Sequence, residues 1–234
     1  MADVGYLHRE EHLRSSDFIS DIVIGMSDGL TVPFALAAGL SGAVASSSLV
    51  VTAGIAEVVA GSIAMGLGGY LAGRTEADHY DSERRREAAE VEAVPEREKE
   101  EVREVFADMG LSPALQTAIA DELAKDKTKW VDFMMKYELG LDEPDPNRAT
   151  KSALTIGLAY VVGGLVPLTP YFLVDNPHKA LLYSSGITLI CLFIFGYFKA
   201  KVTGQPPVSG AIKVMLIGAA AAAAAFGVAR LFGG

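Results

Sequence analysis

Five stretches of the chain are apolar over the roughly 20 residues that a helix needs to cross a bilayer: 18–40, 49–73, 152–172, 180–198 and 211–232. The second does not stop where its apolar pattern stops. Beyond Gly73 the sequence RTEADHYDSERRREAAEVEAV holds no Gly or Pro before Pro95 and is rich in helix formers, which predicts one helix running from the membrane into water. Pro95 then opens a second polar helix that closes at Gly110, Ser112-Pro113 starts a third, and TKWVDFMMKYELG forms a fourth. The linker LDEPDPNRATK, with two prolines, returns the chain to the third span. The fold class predicted is all-α: a polytopic membrane protein with five transmembrane helices and a helical insert between helices 2 and 3. The divisions are a tail at 1–16, helices 1 and 2 at 17–74, the insert at 75–148, and helices 3 to 5 at 149–234.

Ionisable side chains inside apolar spans are costly and default to a functional reading. Glu57 is the one such group in span two. Glu57, Gly61, Met65, Gly69 and Gly73 stand four apart and form one helical ridge, beside a second ridge of Ala56, Ala60, Ala64, Gly68 and Ala72. Small ridges let helices approach closely in lipid, so Glu57 and Met65 are expected at a protein interface. The bland reading of the same face is a packing seam with an idle, hydrogen-bonded glutamate. Span one, capped by Ser16-Asp17, carries Asp21 and Asp28 on the face of Gly25, and Pro33 cannot donate to the carbonyl of Gly29. That combination suits a cation pathway, whereas Asp21, near the span's start, also fits a plain interfacial position. The short SGAVASSS turn makes spans one and two antiparallel neighbours.

Charge divides the chain into two materials. Residues 75–148 carry 21 acidic and 11 basic side chains, a net of −10, while all other residues carry 8 and 9, a net of +1, so the chain's negative charge resides in the insert. An acidic insert disfavours nucleic acid, which requires a basic surface. Cys191, the single cysteine, permits no intramolecular disulfide. The first 16 residues are polar, so no cleavable signal is expected. Basic residues near span ends, Arg9, Arg14, Arg74, Arg148, Lys151, Lys199, Lys201 and Lys213 against Lys179 and Arg230, place the N-terminus and the insert in the cytosol. Five spans then place the C-terminus across the membrane.

The insert's carboxylates recur at helical spacing: Glu83, Glu87 and Glu90, then Glu98 and Glu101, then Met134, Met135 and Glu138. Most such pairs are solvated faces, especially beside Arg84 to Arg86. Thioethers next to carboxylates shift the reading toward a first-row metal softer than calcium or magnesium. Glu76-x-x-His79 has the spacing of di-iron carboxylate bundles, but those need two copies and the chain has one, so His79 reads as a surface residue. His8 and His12 read as tail residues.

DIVIGMSDGLTVPFALAAGLSG in span one, AGIAEVVAGSIAMGLGGYLAGR in span two, and the order of glutamate-rich and Met-Met-x-x-Glu helices in the insert resemble the vacuolar iron transporters, in particular their plant-type members. The resemblance implies a homodimer in the vacuole membrane that moves ferrous iron from cytosol to vacuole in exchange for protons, with Mn²⁺, Co²⁺ and Zn²⁺ as further candidate cargo and no resident cofactor. It assigns the transmembrane pathway to Asp28, Glu57 and Met65, with Asp21 on the same polar path. It assigns metal binding to Glu87, Glu90, Glu98, Glu101, Met134, Met135 and Glu138. It implies a transporter and not an enzyme. The rival readings are a membrane-anchored carboxylate-bundle iron-binding or oxidase protein and a passive divalent metal channel.

Overall fold

The computed structural model of the chain describes residues 12–43 and 46–232. All regular elements among them are helical: α1 (His12–Ala43), α2 (Ser47–Ala93), α3 (Pro95–Asp108), α4 (Pro113–Leu123), α5 (Lys127–Phe133), a π-helical turn (Met134–Glu138), α6 (Arg148–Leu173), α7 (Pro177–Val202) and α8 (Pro207–Phe232). Five of these, α1, α2, α6, α7 and α8, are long and apolar enough to cross a membrane, as the hydrophobic pattern predicts. One boundary differs. α1 begins at His12, so Ser16-Asp17 lies within the helix and does not mark its start. HLRSS contains no Gly or Pro, and the helix penalty of Ser is only a few tenths of a kcal/mol, too little to stop a helix that continues into an apolar span. His8 lies outside the described residues.

The chain forms two compact units, one comprising the residues up to Tyr70 and from Thr150, the other Leu71–Ala149. In the first, α6 packs against both α1 and α2. It runs parallel to α1, with residues of the two helices meeting at 21/152, 25/156, 29/160 and 33/164, a constant offset of 131. The ladder is possible because Gly25 and Gly29 present no side chain: a Cβ at either would collide with the backbone of Ile156 or Tyr160. Against α2 the same helix runs antiparallel, with Gly54 on Leu168, Gly61 on Tyr160, and Gly69 on Ile156 and Ser152. Val50, Val58, Leu168, Tyr171, Ala37 and Ala180 fill the space between these helices. α8 packs on α1 and α7 through small residues, Gly39 on Ala225 and Gly196 on Ala211. Pro33, Pro167 and Pro170 stay inside their helices, and Ser184 of α7 donates to the Pro167 carbonyl at 2.7 Å.

The second unit is built around Tyr80, Val91, Val102, Ala120, Trp130, Val131, Met134 and Met135, with Phe106 stacked on Phe133 at 5.3 Å between centroids. Local chemistry sets its turns. Pro95 occupies the first turn of α3, separated from the end of α2 by Val94 alone. Gly110, at φ +83°, ends α3 in a conformation that costs other residues more. Asp126 caps α5 by accepting from the Lys129 N–H. Ser112 precedes α4, where its side chain makes no capping hydrogen bond and Pro113 alone supplies the start signal. The expected fourth helix is α5 plus the π-helical turn, in which the Leu139 N–H reaches back five residues to the Met134 carbonyl at 3.1 Å.

Candidate metal centres

In the membrane unit the central side chain is Tyr160. Its hydroxyl donates to Glu57 Oε1 at 2.5 Å, and Glu57 Oε2 is buried with no hydrogen-bond partner. Asp28, half-buried on α1, lies within electrostatic reach of the same phenol. Room for the ring comes from Gly61, where a Cβ would strike the phenol, and from Gly29, where it would strike the Tyr160 backbone. Glycines at these two positions therefore bring an acid from α1 and an acid from α2 around one hydroxyl of α6. A buried carboxylate oxygen without a donor costs about 1–3 kcal/mol or more, and a proton or a cation relieves that cost.

Asp21 is buried and accepts from Ser152 Oγ at 3.0 Å, eight residues before Tyr160 and so about 12 Å away along α6. It therefore belongs to a different level from Asp28 and Glu57. Half-buried Met65 lies on α2 between Gly61, which abuts Tyr160, and Gly69, which abuts Ser152. The residue itself stands at a height between the two acid levels. Reading the sequence alone missed Tyr160. The available signal was position, since membrane tyrosines favour the interfaces and a mid-span tyrosine needs a partner for its hydroxyl.

In the second unit, α2 supplies Glu87 and Glu90 and α3 supplies Glu98 and Glu101, each pair at i, i+3 and the two helices joined by Val94 alone. Glu87 is 1% exposed and Glu98 2% exposed. One carboxylate oxygen from each of Glu87, Glu90 and Glu98 lies within 4.8 Å of the other two. The Oε2 atoms of Glu87 and Glu98 are buried without partners. Contraction onto a cation at the usual carboxylate–metal distance of about 2.0–2.2 Å would satisfy both.

Burial and like charge act together here. Glu98 is pushed up to about 7, first by desolvation and then by Glu101, Glu87, Glu90 and Glu138. Glu138, exposed at the rim on the π-helical turn, is pushed up to about 7 by partial desolvation and by Glu87 and Glu101, with Arg86 opposing. Burial and Glu90 also raise Glu87. The structure thus gathers all five glutamates into one electrostatic group, three of them at ligand spacing. Met134 and Met135 precede Glu138 on the π-helical turn and are fully buried in the unit's apolar core. His79 is exposed. Arg86, grouped with its neighbours as part of a solvated face in the sequence reading, instead reaches over the cluster: it pairs with Glu83 at 2.8 Å, Glu87 at 3.5 Å and Glu90 at 3.7 Å.

Residues 19–230 match the model of the VIT family. Vacuolar iron transporter 1 of Oryza sativa subsp. japonica is 53% identical over 95% of this chain and 88% of its own length. Vacuolar iron transporter 1 of Arabidopsis thaliana is 54% identical over 96% and 90% respectively. Protein CCC1 of Saccharomyces cerevisiae is 39% identical over 92% and 69%. With a family match across nearly the whole chain and five helices able to span a membrane, the chain belongs to the VIT family, a family of transporters and not of enzymes.

Proposed function

We propose that the chain is a vacuolar iron transporter that moves Fe²⁺ from cytosol to vacuole in exchange for protons. The observation that carries this reading is the meeting of Asp28, Glu57 and Tyr160 inside the membrane unit, with one Glu57 oxygen buried and unpartnered. Such an oxygen accepts either a proton or a metal ion, which is the exchange an antiporter performs. Glu87, Glu90, Glu98, Glu101 and Glu138, with Met134 and Met135, collect the cation on the cytosolic side. Asp28, Glu57 and Met65 pass it on, with Asp21 on the same path, and the thioether of Met65 favours first-row metals over Mg²⁺ and Ca²⁺. Mn²⁺, Co²⁺ and Zn²⁺ are further cargo.

The excess of basic residues at one set of span ends supports a cytosolic N-terminus and insert and a lumenal C-terminus. Ala56, Ala60, Ala64 and Gly68 form an exposed small-residue stripe on α2, which supports a homodimer with close helix contact there. The test is Fe²⁺ uptake into liposomes holding the purified protein, with and without an acid interior, beside Glu57→Gln. Gradient-stimulated uptake that Glu57→Gln abolishes is the expected result. Gradient-independent flux would establish a channel instead, and metal binding without flux would establish an anchored binding protein.

A further inference from the structure

We propose that Arg86 is a tethered counter-cation that competes with metal for the glutamate cluster and so sets the affinity of the cytosolic collector. The inference rests on the reading of that cluster as a metal site. Its guanidinium contacts Glu83, Glu87 and Glu90 at 2.8, 3.5 and 3.7 Å. Glu87 and Glu90 are two of the three residues whose oxygens stand at ligand spacing. The third, Glu98, and the partner Glu87 are at least 98% buried, and each keeps one buried oxygen with no donor. Arg86 therefore compensates the cluster's charge without meeting its coordination demand, and the deep oxygens remain for a smaller cation.

The neighbouring basic groups are engaged differently. Arg84 is drawn to Asp132 at 2.7 Å and to the Tyr80 hydroxyl. Arg97 pairs with Glu101 at 3.1 Å, outside the three residues at ligand spacing. Only Arg86 among these pairs with any of the three glutamates at ligand spacing. Its side chain is 52% exposed and long, so it can swing into water when a divalent ion takes Glu87 and Glu90. Metal entry then becomes an exchange of one cation for another, and the bound ion is held less tightly than the bare carboxylates would hold it. A collector that must hand its ion onward needs that limit.

The test is calorimetric titration of the detergent-solubilised full chain with Mn²⁺ and Co²⁺ at fixed ionic strength, comparing Arg86→Gln, Arg86→Lys, Arg97→Gln and the double variant Glu87→Gln/Glu98→Gln. Arg86→Gln is expected to bind about two- to fivefold more tightly, the range expected when one partly exposed ion-pair partner is removed. Arg86→Lys, which keeps the charge, should return close to the wild-type value, and Arg97→Gln should change affinity less than Arg86→Gln. Unchanged or weaker binding in Arg86→Gln overturns the proposal, as does an equal gain in Arg97→Gln, which would reveal a general charge effect. Unchanged binding in the double glutamine variant would instead overturn the metal site itself.

Discussion

Tyr160 and Glu57 are joined by a 2.5 Å hydrogen bond from the phenol to one carboxylate oxygen, while the other carboxylate oxygen is buried and unpartnered. The phenol therefore fixes the carboxylate's direction and leaves a single oxygen for a proton or cation. Tyr160→Phe keeps the ring that fills the space beside Gly61 and deletes only the donor. A hydrogen bond to a charged group contributes about 1.5–3 kcal/mol, so metal uptake into liposomes should slow by roughly ten- to a hundredfold while the protein remains folded on size-exclusion chromatography. Wild-type uptake at every pH tested would reduce the bond to a packing detail.

The glutamate cluster is a source of strain in metal-free protein, because buried like charges oppose folding. Glu87→Gln/Glu98→Gln should raise the thermal midpoint of the metal-free protein by a few degrees. The same variant should lose the further rise that metal gives to wild type. Differential scanning fluorimetry with and without Mn²⁺ measures both. A lower midpoint without metal would show that the ionised carboxylates stabilise the insert through contacts other than metal.

The raised carboxyls also fix a pH window. Glu98 and Glu138 move from 4.5 to about 7, so between those values the folded insert holds more protons than the unfolded chain. Metal-free stability should therefore fall as pH rises through that window. Metal binding, which needs the ionised form, should strengthen over the same range, by up to about tenfold per pH unit for each proton displaced. Titrations from about pH 5.5 to about pH 7.5 in buffers of different ionisation enthalpy would count those protons. Flat affinity would mean that neither carboxyl releases a proton on binding.

Gly61 and Gly68 lie two turns apart on α2 and predict opposite outcomes. A Cβ at Gly61 meets the Tyr160 phenol, whereas one at Gly68 meets nothing within 4 Å in the protomer. Gly61→Ala should displace the phenol, destabilise by about 1–3 kcal/mol through overpacking, and slow transport as Tyr160→Phe does. Gly68→Ala should leave the protomer fold intact and add roughly 0.5–1 kcal/mol of helix propensity. Thermal midpoints beside uptake rates distinguish the two sites. A loss of dimer in Gly68→Ala alone would place the exposed stripe at the subunit contact.

Features that depend on local chemistry were legible in the sequence: the five apolar spans, the turn at Pro95, the stop at Gly110, and the recurrence of glutamates on α2 and α3. Features that depend on register between distant helices were not. Tyr160 acquires its role only because the 131-residue offset between α1 and α6 and the antiparallel α2 bring Asp28 and Glu57 to it. Arg86 looks like one of three surface arginines until the α2–α3 hairpin sets Glu98 beside Glu87. The start of α1 was misplaced because Ser16-Asp17 has the chemistry of a cap, while residues further back permit the helix to continue. The π-helical turn leaves no trace in hydrophobic spacing, which cannot separate i→i+4 from i→i+5 bonding over so short a segment.

That turn makes chain length itself a variable. By reaching from Leu139 back to Met134, it accommodates one residue more than an α-helical turn would. Removing Lys136 or Tyr137 would let the turn close with ordinary i→i+4 bonds, and the residues after it would keep nearly the phase they have now, because the wide turn holds its extra residue without advancing the helix. Met134 would keep its place in the apolar core, and the Glu138 carboxylate would stay on the side of Glu87 and Glu101. The wide turn is therefore a place where the chain can lose one residue and still present its rim carboxylate, whereas the same loss within α5 would turn Glu138 by about 100° relative to the helix before the gap.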